Sequence, residues 1–283
     1  MQVEQHPWGK PVELDRFGLR RLALAAAVLM ALTPGSVAAA DAHGVHDAHD
    51  VRVAIGQSLQ PYVFRDKNSG IEYDIISEAL ASEGYRMVPV YVPFMRVIVS
   101  MRHGEVDAAA TMQESTEVKA YYSDTHIVYR NYAMSLERNH YRVDGIDDLA
   151  NFNVEAFQNA TVFLGPRFAA AVAHAKHYGE HADQSEENRM LYVGRTDVVV
   201  ADINIFKFND AEIGDLAAHG IKSHDAVAYH EIFPPTPYKV AFASETVRDA
   251  FNRGLAKLHK SGEYERIFER YVPGEAAKAA DRR

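Results

Sequence analysis

Acidic, basic and aromatic side chains gather at a few places along the chain. Residues 112–119, MQESTEVK, have neither a helical nor a strand period and carry Glu114 and Lys119. A carboxylate and an ammonium in one loop hold polar solutes through charge-assisted hydrogen bonds, or else pair with each other. His174, His177 and His181 stand at i, i+3 and i+7, one face of a helix, and that spacing suits a metal. No carboxylate or cysteine joins them locally, so the expectation is an exposed histidine face with no metal and no cofactor. Three more histidines, His43, His46 and His49, lie in residues 41–50, DAHGVHDAHD, which read as a polar leader. The chain contains no cysteine, which removes thiol chemistry, disulfides and Cys-ligated zinc. No acid–base pair poised for catalysis stands out.

The polar loop at 112–119 must be held by its neighbours. Residues 106–111 are a short apolar run after a Gly-Glu turn, which predicts a buried strand of a parallel sheet ending at the loop. Residues 122–134 are rich in aromatics and are expected to cross into a second lobe. Before them, strands are predicted at 51–55 and 87–92 and helices at 73–81 and 95–102, a βαβαβ order. After them, the same grammar recurs. A short helix is expected at 144–150, a strand at 153–157, an Ala-rich helix at 167–178, a turn at 192–196 and a buried strand, DVVVA, at 197–201. A strand at 238–243 follows three prolines, and helices at 245–260 and 264–271 close the chain. Ligands of open α/β sheets sit beyond the carboxyl ends of the strands, so the cleft is sought there.

Length and composition agree with two lobes of ordinary size: 283 residues, 47% hydrophobic. A net charge of −9 with no basic run makes nucleic acid an unsuitable partner. Arg16, Arg20 and Arg21 precede an apolar run at 22–32, and Ala38, Ala39 and Ala40 fit a small-x-small cleavage pattern. The run is shorter than the roughly 20 residues of a membrane span. The expected layout is a signal peptide at 1–40, cleaved near Ala40, and a leader at 41–50. Lobe 1 is built from 51–127 plus 240–272, lobe 2 from 131–236, and a polar tail occupies 273–283.

Four motifs in order carry a resemblance. They are PYVF followed by GIEYDIISEAL (61–80), GEVDAAAT (104–111), YVGRTDVVVAD (192–202), and YKVAF followed by LAKLHKSGEYERIFERYV (238–272). Together they resemble the periplasmic solute-binding proteins of ABC importers, the family that includes the polar amino-acid binders. The resemblance implies an α/β, two-lobed periplasmic-binding-protein fold of type II, with a parallel sheet in each lobe and two hinge crossings. It implies a periplasmic, monomeric receptor that delivers a small polar molecule to the membrane permease of an importer. The alternative on the same fold is an exported enzyme of the cyclohexadienyl or arogenate dehydratase kind.

The resemblance also implies site residues. Asp202, at the end of DVVVA, matches the acid that pairs a ligand ammonium; read alone, it also suits a helix N-cap. Tyr62, Phe94 and Tyr129 are expected as aromatic walls, and Thr161 as a second-lobe loop contact. Arg96, opening a helix after Pro93, is expected near an anionic group. The family's carboxylate-pairing arginine is replaced by Lys119, with Glu114 in the same loop. A lysine lacks arginine's bidentate fork, so the ligand is not expected to be a plain α-amino acid held in the family's usual way; an amine or a polyol suits the acidic balance better.

Overall fold

The computed structural model describes residues 49–57, 59–213 and 225–273. The expected signal peptide, residues 41–48 of the leader and the tail from 274 lie outside them. In chain order the first elements are β1 (His49–Gly56), α1 (Ile71–Ala81), β2 (Tyr85–Val92), α2 (Phe94–Arg102), β3 (Ala108–Met112) and β4 (Tyr121–Tyr129). Then come β5 (Asn131–Leu136), β6 (Asn153–Phe157), α3 (Ala160–Phe163), α4 (Pro166–Val172), β7 (His177–His181), α5 (Ser185–Tyr192), β8 (Val198–Asp202) and α6 (Ile203–Glu212). The last are β9 (Val227–His230), β10 (Thr236–Phe242), α7 (Glu245–Ser261) and α8 (Glu263–Tyr271).

Two five-stranded sheets result, in the orders β2-β1-β3-β10-β4 and β7-β6-β8-β5-β9. In the first, β1 pairs parallel with β2 and β3, while β10 runs antiparallel to β3 and β4. The second repeats this plan: β6 is parallel to β7 and β8, and β5 is antiparallel to β8 and β9. Each sheet is therefore a parallel core extended by antiparallel strands. The chain changes sheet twice, at Arg130 between β4 and β5 and between β9 and β10. This is the two-lobed type II plan. The described residues, with both sheets, fall within one compact unit.

The apolar strand runs explain the layers. Val51, Val53 and Ile55 of β1 bury against Ile75, Ile76, Ala79 and Leu80 of α1, and Phe251, Leu255 and Ile267 of the C-terminal helices join the same core. The other face of β1 and β3 packs on Val97 and Met101 of α2. In the second lobe Val198 and Val200 face Phe168 and Val172, while Val199 and Ala201 face Leu191 and Phe206. That alternation is the period of two that a strand buried on both faces requires.

Three local expectations are corrected. The leader ends earlier, because His49 and Asp50 already pair in β1. The Ala-rich helix stops at Val172 rather than running to 178, and His177 to His181 form edge strand β7 instead. His174, His177 and His181 therefore share no helical face. Helices α3, α5 and α6 and strand β9 have no counterpart among the elements predicted from the sequence.

Candidate ligand-binding site

The strand ends of both sheets converge on one cavity of about 380 Å³, within the usual size of small-molecule pockets. The first lobe contributes Gly56 and Gln57 at the end of β1, Phe94 at the start of α2, and Tyr238 of β10. The second contributes Phe157 and Gln158 at the end of β6, His181 at the end of β7, and Asp202 at the end of β8. Tyr129 and Asn131 line it from either side of the Arg130 crossing. The cavity thus lies where a doubly wound sheet leaves its crevice, with a crossing strand in its wall.

Asp202 is 2% exposed. Its Oδ1 accepts the amides of Asn204 (2.9 Å) and Ile205 (3.2 Å), the N-cap of α6. The same oxygen accepts the Tyr62 hydroxyl at 3.0 Å, and Oδ2 accepts the Arg130 amide at 2.8 Å. Asp202 therefore caps α6 and lines the cavity at once. Burial raises its pKa from 3.8 to about 6, against the lowering effect of the donors.

Behind Asp202 stands a buried polar network. Tyr62 is fully buried and stacks on Tyr129, with ring centroids 4.1 Å apart, and its hydroxyl also accepts Asn204 Nδ2 at 3.0 Å. The Tyr129 hydroxyl donates to Glu72 Oε2 at 3.1 Å. Glu72 Oε1 takes the Thr111 hydroxyl and lies against His126 Nε2, both at 2.8 Å. Burial, reinforced by the charges of Asp202 and Glu72, holds both tyrosines well above the ordinary phenol range. Gly70 makes this possible: at φ 126° it caps α1 so closely that a Cβ would lie 2.3 Å from the Tyr62 carbonyl oxygen.

Phe94, Tyr129 and Asp202 stand on the cavity wall. Phe94 also reaches across to Phe163 of the second lobe, with ring centroids 4.7 Å apart. Tyr62 lies one layer behind the wall, supporting Tyr129 and Asp202. The remaining expectations land elsewhere. Arg96 turns to Glu105, at 2.7 Å, and stays about half exposed. Glu114 pairs with Lys239 of β10 rather than with Lys119. Lys119 is exposed because its neighbour Val118 is buried under α2, which sends the next side chain outward. Thr161 is off the wall because Glu180 takes its amide and hydroxyl, each at 3.2 Å. Glu180 also accepts the Asn159 amide at 2.6 Å and the Tyr178 hydroxyl at 2.7 Å. Burial acts to raise the Glu180 pKa, yet these donors together hold it below the ordinary range.

Sequence reasoning missed the amide-bearing wall residues Gln57, Asn131 and Gln158, and also Tyr238 and His181. The available signal was position, since Gln57 and Gln158 stand just past strand ends. His181 carries a second buried cluster. Its Nε2 lies 2.8 Å from Oε2 of Glu155, a residue 1% exposed, and His177 approaches the other oxygen at 3.3 Å. Gly179 leaves room for that carboxylate, since a Cβ there would sit 2.2 Å from Glu155 Oε2. Nearby Glu187 is fully buried, and burial first, then the Glu155 charge, raises its pKa strongly.

Solved structures share this architecture. An ancestral arginine-binding protein bound to glutamine superposes with TM-score 0.61 at 20% identity, covering 79% of this chain and 98% of that one. A histidine kinase sensor domain with similarity to periplasmic binding proteins gives TM-score 0.64 at 16% identity, covering 80% and 97%. The ancestral amino acid-binding protein AncCDT-1, a precursor of cyclohexadienyl dehydratase, gives 0.59 at 20% identity, covering 78% and 95%. No curated protein sequence matches the chain. Residues 51–274 match the profile of one sequence family, and the chain belongs to the bacterial extracellular solute-binding proteins, family 3.

Proposed function

We propose that this chain is an exported, periplasmic receptor that closes on a small polar solute and hands it to the permease of an ABC importer, acting as a monomer. The observation that carries the reading is the cavity at the strand ends of both sheets, with Tyr129 and Asn131 in its wall on either side of the Arg130 crossing. A solute touching both lobes favours the closed arrangement by its differential affinity for it. Contacts already crossing the cleft, Tyr62 to Asp202 and Phe94 to Phe163, support a closed form held by few groups.

The wall chemistry supports holding over turnover. Asp202 and His181 on the wall are engaged with protein partners, and among the described residues no nucleophile with a base stands beside them. The test is a thermal-shift screen of amines, amino acids, organic acids and polyols, followed by calorimetry and a turnover assay on each hit. One-to-one binding with the solute recovered unchanged is the expected result. Conversion of a bound compound would move the protein to the enzyme reading.

A further inference from the structure

We propose that the solute is an organic cation without a carboxylate: an amine, amidine or guanidine, seated with its N–H groups at Asp202 and its carbon body against the aromatic wall. This rests on the receptor reading above and concerns the class of ligand.

The first observation is charge. Among the described residues, no lysine or arginine lines the cavity, and its fixed charge is the Asp202 carboxylate. Arg130 sits between wall residues Tyr129 and Asn131 but does not itself line the cavity. Arg96 and Lys239 are spent on Glu105 and Glu114. Of the other bases near the wall, Arg65 reaches the Gln57 side-chain oxygen at 3.4 Å and His181 faces the buried Glu155 carboxylate at 2.8 Å. A ligand carboxylate would therefore lose its water beside a like charge with no lysine or arginine on the wall to receive it, which is unfavourable.

The second observation is where the nearby anion-binding donors have gone. The amides of Asn159 and Thr161 and the Thr161 hydroxyl follow cavity residue Gln158 in sequence, and all three already hold Glu180. The protein's own carboxylate occupies them.

The third is what remains for a cation. Asp202 Oδ1 accepts three donors, whereas Oδ2 accepts the Arg130 amide alone among the described residues. Oδ2 is therefore the less engaged oxygen, the one on which a ligand N–H would be received. Phe94, Phe157, Tyr129 and Tyr238 line the space, and the face of an aromatic ring attracts a cation. Gln57, Asn131 and Gln158 add neutral hydrogen-bonding groups.

The test uses pairs that differ by one carboxylate: agmatine and arginine, cadaverine and lysine, histamine and histidine, tyramine and tyrosine. Each is titrated calorimetrically into the full-length chain and into Asp202→Asn, which keeps a side-chain oxygen for the α6 cap. The expected result is that at least one amine binds about 30-fold or more tighter than its amino acid. In Asp202→Asn that amine loses a similar factor while the melting temperature without ligand stays within a few degrees. An amino acid binding as well as its amine overturns the cation class and leaves the receptor reading in place. So does a polyol or other neutral solute from the wider screen binding where every amine fails. Absence of any ligand across that screen overturns both.

Discussion

The Tyr62 hydroxyl donates to Asp202 Oδ1 at 3.0 Å, and this bond joins the loop before α1 in the first lobe to the end of β8 in the second. The same hydroxyl accepts Asn204 Nδ2. One phenol thus bridges the lobes while its ring supports Tyr129 on the cavity wall.

Removing that hydroxyl in Tyr62→Phe leaves Asn204 and Asp202 each short of a partner in a buried place. The expected cost is about 1–3 kcal/mol of the closed form. Equilibrium dialysis with a bound solute should show affinity falling by roughly tenfold, and an unchanged constant would mean that the bridge plays no part in closure.

Asp202 gives a pH signature. Its folded pKa is raised from 3.8 to about 6, chiefly by burial. Between those values the folded chain keeps a proton that the unfolded chain releases. The stability this group contributes is therefore full below about pH 4 and lost as pH rises to about 6. The change is on the order of 3 kcal/mol. Urea unfolding of wild type and Asp202→Asn from pH 4 to 7 should give curves whose difference changes across that window; parallel curves would contradict the burial argument. A cationic solute favours the ionised acid, so its affinity should weaken as pH drops below about 6.

Gly179→Ala should destabilise the second lobe by about 1–3 kcal/mol, because the new methyl meets the buried Glu155 carboxylate. Placing the same change in a Glu155→Ala background should recover most of that cost. A double-mutant cycle reads the coupling. Additive effects would mean that the close approach is not what limits the site.

Lys119→Ala and Thr161→Ala are expected to leave solute affinity within about twofold, since one side chain is exposed and the other serves Glu180. A tenfold loss in either would return that residue to the ligand.

These two residues also mark how far the sequence could be read. The runs VRVAI and DVVVA are apolar apart from Arg52 and Asp197 and short enough to read as buried strands, and Asp202 was legible as the polar residue closing the second run. The four ordered motifs pointed to two lobes. The direction of Lys119 was hidden because the burial of Val118 decides it. The fate of Thr161 was hidden because its partner Glu180 lies on β7, where an alanine-rich lead-in mimics a continuing helix. Tyr62 was recognisable as an aromatic near the site, but its depth behind Tyr129 depends on the tight turn at Gly70.

Filling the cavity tests the central claim most directly. Gln158 lines the cavity yet is exposed, so Gln158→Trp should occupy the space without disturbing a core. Calorimetric titration of a solute that binds the wild-type chain one-to-one is predicted to give no measurable heat of binding with this variant, at an unchanged melting temperature. Binding of that solute to Gln158→Trp with wild-type affinity would place the site elsewhere and contradict capture between the lobes.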